Sequence, residues 1–141
     1  MSAPKYFDKL PRVFLPADVP VRDDGSGAVF SSRVPVRVTG SRSVETPFPP
    51  YRIRHFSIES EDGKRGWVAA EELFAVLAVE ALVFDVINGT GVPSPHFADQ
   101  PVLILERQQD ARGAKWIRVH DFQGESGWTR ASWVKGVPQA A

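Results

Sequence analysis

The chain contains no cysteine, so it has no disulfide framework and no thiolate for nucleophilic or redox chemistry. That fits a reducing compartment, and a cytoplasmic location is expected. Charge of one sign is also missing in excess: 17 Lys+Arg stand against 17 Asp+Glu. This balance gives no electrostatic reason to expect nucleic acid or an anionic membrane as the main partner, although a local basic patch is compatible with it. Long hydrophobic runs are absent as well. The longest, residues 73–84, is interrupted by Glu80 and falls well short of the roughly 20 residues that cross a bilayer. The opening Met1-Ser2-Ala3-Pro4-Lys5-Tyr6-Phe7-Asp8-Lys9-Leu10 lacks the apolar core of a secretory signal. No membrane partner is expected, and a mature exported form that has already lost its signal stays open as an alternative.

Signatures of catalysis are sparse. His55, His96 and His120 are scattered without metal-ligand spacing. The serines sit in turn-like stretches with no Gly-x-Ser-x-Gly elbow. Gly25-Ser26-Gly27 and Gly89-Thr90-Gly91 lack the lysine and the following helix of a phosphate loop. A non-enzyme that needs neither metal nor cofactor is the expectation.

What the chain does have is a repeat. Gly124-Glu125-Ser126-Gly127-Trp128-Thr129-Arg130-Ala131-Ser132-Trp133-Val134 follows the plan of Asp62-Gly63-Lys64-Arg65-Gly66-Trp67-Val68-Ala69-Ala70-Glu71-Glu72-Leu73: a glycine turn, polar residues, Gly-Trp, a polar-and-small run, then an apolar residue. Glycine supplies the positive φ of a tight hairpin, and a second glycine before the tryptophan lets a bulky ring lie across a neighbouring strand. Two similar units follow, each of about 60–70 residues, a size at which a domain buries only about 60% of its unfolded surface.

Taken in order, residues 1–11 read as an N-terminal arm, with Pro4 and Pro11 blocking regular structure and Tyr6, Phe7 and Leu10 as anchors. The first unit spans 12–79. Its short edge-type strands carry Pro20, and Val34-Pro35-Val36-Arg37-Val38 alternates with period two. The loop 39–50 holds Pro47-Phe48-Pro49-Pro50, a stiff polyproline II segment. In Tyr51-Arg52-Ile53-Arg54-His55-Phe56-Ser57-Ile58 the alternation shifts, which predicts a bulge near His55. Residues 69–81 have helical propensity. The repeat instead favours a single 3₁₀ turn near 69–72 followed by strand to about Val79, and a long helix is the alternative. The second unit, 80–137, repeats the order: strand, long loop, strand, aromatic-led strand, glycine hairpin, Gly-Trp strand, closing turn. Residues 138–141 form a tail.

Gly127-Trp128-Thr129-Arg130-Ala131-Ser132-Trp133-Val134 resembles the closing pattern of the Src-homology-3-like (SH3-like) family, Gly-apolar-aromatic-Pro-Ser-Asn-Tyr-Val, with Arg130 in place of the proline and Thr129 in place of an apolar residue. Ala81-Leu82-Val83-Phe84-Asp85-Val86 is similar to the family's Ala-Leu-Tyr-Asp-Tyr opening with one extra valine. Bacterial variants of the fold share the Gly-Trp-Val strand. The resemblance implies an all-β protein of two SH3-like barrels in tandem, packed against each other. It also implies a shallow aromatic groove on the second barrel, with Phe84 as an opening-motif aromatic, Trp116 as the groove tryptophan, Trp133 at the closing tyrosine, and Asp99 as the acidic loop residue that meets a basic ligand. The first unit has Val21, Tyr51 and Glu72 at those places and is expected to be structural. The alternative for the rings is core packing, as is common for large apolar side chains in small domains. Trp67 and Trp128 are expected in the core or half-buried, and Arg52, Arg54 and Arg65 with Lys64 on a solvated basic face.

The reading that follows is a non-catalytic module recognising a protein or peptide segment. Its rival is a structural subunit, or a small inhibitor or adaptor of bacterial or phage origin, that uses its whole surface as the interface. Cell-wall material and nucleic acid rank behind both.

Overall fold

The computed structural model describes residues 7, 12–22, 27–49, 51–78, 81–89 and 100–135. The chain divides into two compact units, Met1–Leu73 and Phe74–Ala141. The division falls between Leu73 and Phe74, so the strand residues expected at the end of the first unit belong to the second.

The first unit opens with a short antiparallel pair, β1 (Val19–Pro20) and β2 (Val29–Phe30). A three-stranded antiparallel meander follows, in the order β3 (Val36–Glu45), β4 (Arg52–Ser60), β5 (Arg65–Ala69). Val13, Leu15, Val19, Val21, Phe30, Val36, Val38, Phe56, Ile58, Val68 and Leu73 are buried within it. Phe7 meets Phe56 edge-on at 5.5 Å. One helical turn, α1 (Ala70–Leu73), ends the unit.

In the second unit β6 (Ala75–Val76), β7 (Pro101–Gln109), β8 (Lys115–His120) and β9 (Ser126–Arg130) form one antiparallel sheet in that order. A 3₁₀ turn, Ala131–Trp133, follows, and Val134 then bridges back to Leu77. Among the described residues the chain is thus all-β apart from single helical turns. Strand pairing among the described residues makes open sheets rather than closed barrels. Nor does a long helix form across 70–78: it stops at Leu73, and Ala75 and Val76 are already strand.

The repeat is present in the register itself. Across the first meander runs the row Val38, Ile58, Gly66, and across the second the row Ile104, Val119, Gly127. The register slips next to this row in both units, between Val38 and Gly40 and between Ile104 and Glu106. In both, the glycine lies under a crossing valine. A Cβ on Gly66 would stand 3.4 Å from Val21 Cγ1 and 3.2 Å from Phe30, and one on Gly127 would stand 2.5 Å from Val83 Cγ1. The hairpin turns match too, with Gly63 at φ 92° and Gly124 at φ 87°, values that cost glycine nothing.

The slip opposite Ser57 replaces the expected bulge near His55. Phe56, Ile58 and Ser60 alternate regularly into the core, and Arg54 and Arg52 continue the same face beyond it. The strand outruns its hydrophobic support, and that imitates a change of phase in the sequence.

Candidate binding surface

In β8, Ile117 and Val119 point to one face and Trp116, Arg118 and His120 to the other, as the two-residue period of a strand requires. Opposite them on β9 stand Arg130, across from Trp116, and Trp128, across from Arg118. Phe84 extends this sheet, its N–H and C=O exchanging 2.7 Å hydrogen bonds with Trp128. Phe84, Trp116, Trp128 and Arg130 therefore share a face.

Trp116 is the fixed point of the set, with 2% of its surface exposed. The Phe84 ring meets it edge-on at 5.4 Å, and the Arg130 guanidinium lies 5.0 Å from its ring centre. Its indole N–H donates to Asp110 Oδ2 at 3.0 Å. The other Asp110 oxygen accepts the N–H groups of Arg112 and Ala114, both at 2.9 Å, and so closes the β7–β8 turn. These bonds hold the Asp110 carboxyl down at about 2, with the Trp116 indole the largest cause, followed among the stabilising contacts by the backbone N–H groups. Beside the rings Arg118 pairs with Glu106 at 3.0 Å across the strands.

Of the four residues singled out from the sequence, Phe84 and Trp116 are together. Phe84 is half-buried, whereas Trp116 offers almost no surface to a ligand. Trp133 is half-buried in the 3₁₀ turn, where its carbonyl accepts the Ala78 N–H at 2.7 Å. No ring contact joins it to the other two among the described residues. Asp99 lies outside the described residues. Arg130, Asp110 and Trp128 complete the cluster. The Arg130–Trp116 pair was findable only through cross-strand register, which separates the two by a whole hairpin in sequence.

In the first unit the place of Trp116 falls to His55, which pairs with Ala69 as Trp116 pairs with Arg130. Tyr51, assigned there from the sequence, stands instead at the hairpin end and is 59% exposed. Val21 is buried, and Glu72 is tied to Arg22. Trp67, the counterpart of Trp128 in the repeat, is half-buried with the Arg42 guanidinium 4.0 Å from its ring centre.

Burial holds the His120 imidazole below its usual range, with Arg118 adding to the effect and Asp121 opposing it. Among the described residues no three His, Cys, Asp or Glu are grouped to hold a metal. No helix among them is long and apolar enough to cross a membrane. Compared with protein-family models, curated proteins and solved structures, the chain matches none.

Proposed function

We propose that the chain is a non-catalytic cytoplasmic binding module of two SH3-like units, and that the second recognises a protein or peptide segment with its aromatic face. The SH3-like reading is supported by the shared order of bulged strand, central strand, Gly-Trp strand and closing turn in both units.

The observation that carries the functional reading is the clamped Trp116. Fixed by Phe84, Arg130 and Asp110, it makes a rigid floor on which half-buried Phe84 and Trp128 stand at the surface. A preformed aromatic shelf loses little freedom on binding, and an extended polyproline II segment loses little either. Arg130, exposed beside the rings, favours a segment that also carries a carboxylate, whereas Arg118 is already paired with Glu106. In this reading Trp116 acts as support and contact falls to Phe84 and Trp128, with Trp133, which stands apart in the 3₁₀ turn, added by the resemblance to the family's closing tyrosine.

The test is an NMR titration of the whole chain with a panel of short proline-rich peptides, with and without acidic residues. The Trp128 and Trp133 indole signals and the Arg130 amide should shift most. Trp133→Ala and Arg130→Glu should each weaken the best peptide about tenfold without loss of fold. If no peptide moves these signals, or the shifts cluster elsewhere, the reading fails.

A further inference from the structure

The first unit carries a feature that its twin lacks. After the register slip β3 and β4 continue for six residue pairs, Gly40↔Ser57 to Glu45↔Arg52, whereas β7 and β8 continue for four, Glu106↔Arg118 to Gln109↔Lys115. The third strand stops at His55, paired with Ala69, so Ser43↔Arg54, Val44↔Ile53 and Glu45↔Arg52 form a two-stranded ribbon that runs past the sheet.

The described residues at its end are tied together. Thr46 N–H donates to Tyr51 O and Tyr51 N–H to Phe48 O, both at 2.9 Å, and the Thr46 hydroxyl donates to the same Phe48 carbonyl at 2.7 Å. Tyr51 is held at φ 65°, a left-handed conformation unusual for a bulky residue. At this loop Phe48 is 74% exposed and Tyr51 59% exposed. Such strain persists where the surroundings over-determine it, and it gathers at ligand clamps and switch regions. On the adjoining ribbon Arg52 and Arg54 lie on one face, both exposed, and Arg42 lies on the other, stacked on Trp67. Between residues 41 and 54 the single carboxylate is Glu45, 4.0 Å from Arg52.

We infer that this hairpin end is a second docking surface, and that its occupant is an acidic peptide segment of a partner protein that also carries apolar side chains. Carboxylates of the segment pair with Arg52 and Arg54, and its apolar residues cover Phe48 and Tyr51. Arginine forks match carboxylates in two-point geometry, and aromatic and Arg side chains dominate protein interfaces. Charge complementarity points to an acidic occupant, and the tip points to a protein. Single-stranded nucleic acid is held by rings laid along a flat groove, whereas Phe48 and Tyr51 project from a turn beside a carboxylate. The inference does not rest on the second unit's aromatic face.

The test screens a displayed library of random peptides on the whole chain, with synthesised hits measured by fluorescence anisotropy. Hits should be rich in Asp and Glu with Leu, Ile, Phe or Trp interspersed. Phe48→Ala with Tyr51→Ala, and separately Arg52→Glu with Arg54→Glu, should weaken them at least tenfold while the melting curve is kept. Tyr51→Gly relieves the positive φ. It should hold or raise the melting midpoint and still weaken binding at least fivefold, which a merely structural loop would not do. Three outcomes overturn the inference: hits without acidic residues, hits indifferent to all these substitutions, or a labelled single-stranded DNA or a second copy of the chain bound in their place and lost with the same variants.

Discussion

Gly127 shows how far a single atom can matter here. A Cβ at that position would lie 2.5 Å from Val83 Cγ1 and 3.1 Å from the Phe84 carbonyl oxygen. The carbonyl belongs to a backbone bridge with Trp128 and cannot step aside without breaking it. Gly127→Ala should therefore cost about 1–3 kcal/mol in a urea melt, the usual range for overpacking. Gly66→Ala meets the far end of the Phe30 ring at 3.2 Å and should cost less. Trp116 and Asp110 make a second pair of dependent residues. Because the indole is the largest cause of the low Asp110 pKa, Trp116→Phe should raise its titration midpoint from about 2 toward 3.8, read from the Asp110 carboxyl signal by NMR. The folded value lies below the unfolded one, so the stability Asp110 contributes is complete above pH 3.8 and is lost as pH falls from there to about 2.

At the scale of elements, the turn α1 depends on Glu72 more than on propensity. Four residues are too few to hold a helix by hydrogen bonds along it. Glu72 Oε1 accepts the Ala69 N–H at 2.9 Å, the return half of a capping box, and its carboxylate also takes a two-point bond from Arg22. Glu72→Ala should cost about 0.5–2 kcal/mol, as loss of a cap does. The Arg22 hydrogen bond is the largest cause holding the Glu72 pKa below 4.5, so the stability it supplies is present above that pH and lost as pH drops below it. Denaturant melts of wild type and Glu72→Ala should thus converge on acidification. Asp110 and Asp121 close their hairpins in one way, each with an oxygen accepting two backbone N–H groups at 2.9 Å. The β3–β4 hairpin does not follow them. Its loop depends on Thr46 and a left-handed Tyr51, and that departure is what lifts Phe48 and Tyr51 clear of the core.

For the molecule as a whole, equal numbers of acidic and basic groups mean little mutual repulsion between copies at neutral pH. Solubility should pass through a minimum near pH 7 and rise on either side, measured by turbidity at fixed protein concentration. The all-β character and, in each unit, the glycine hairpin, the Gly-Trp strand and the closing turn were legible in the residues, whereas the loop expected from Thr39 is strand as far as Glu45. Glycine turns, Gly-Trp strands and period-two alternation are local patterns, written within a few residues of one another. For residues 69–78 the sequence left a helix and a turn followed by strand both open, and the structure has one turn, Ala70–Leu73, and then the short strand Ala75–Val76. What the sequence could not convey depends on pairs far apart along the chain. The depth of Trp116 is decided by Phe84, Arg130 and Asp110, which converge on it only when β8 and β9 lie in register. The displacement of Tyr51 from a groove position to an exposed tip is decided by how far β3 and β4 outrun β5. Alternation tells which residues share a face of a strand. Only tertiary packing decides whether that face is covered, because burial depends on where the neighbouring segments stop.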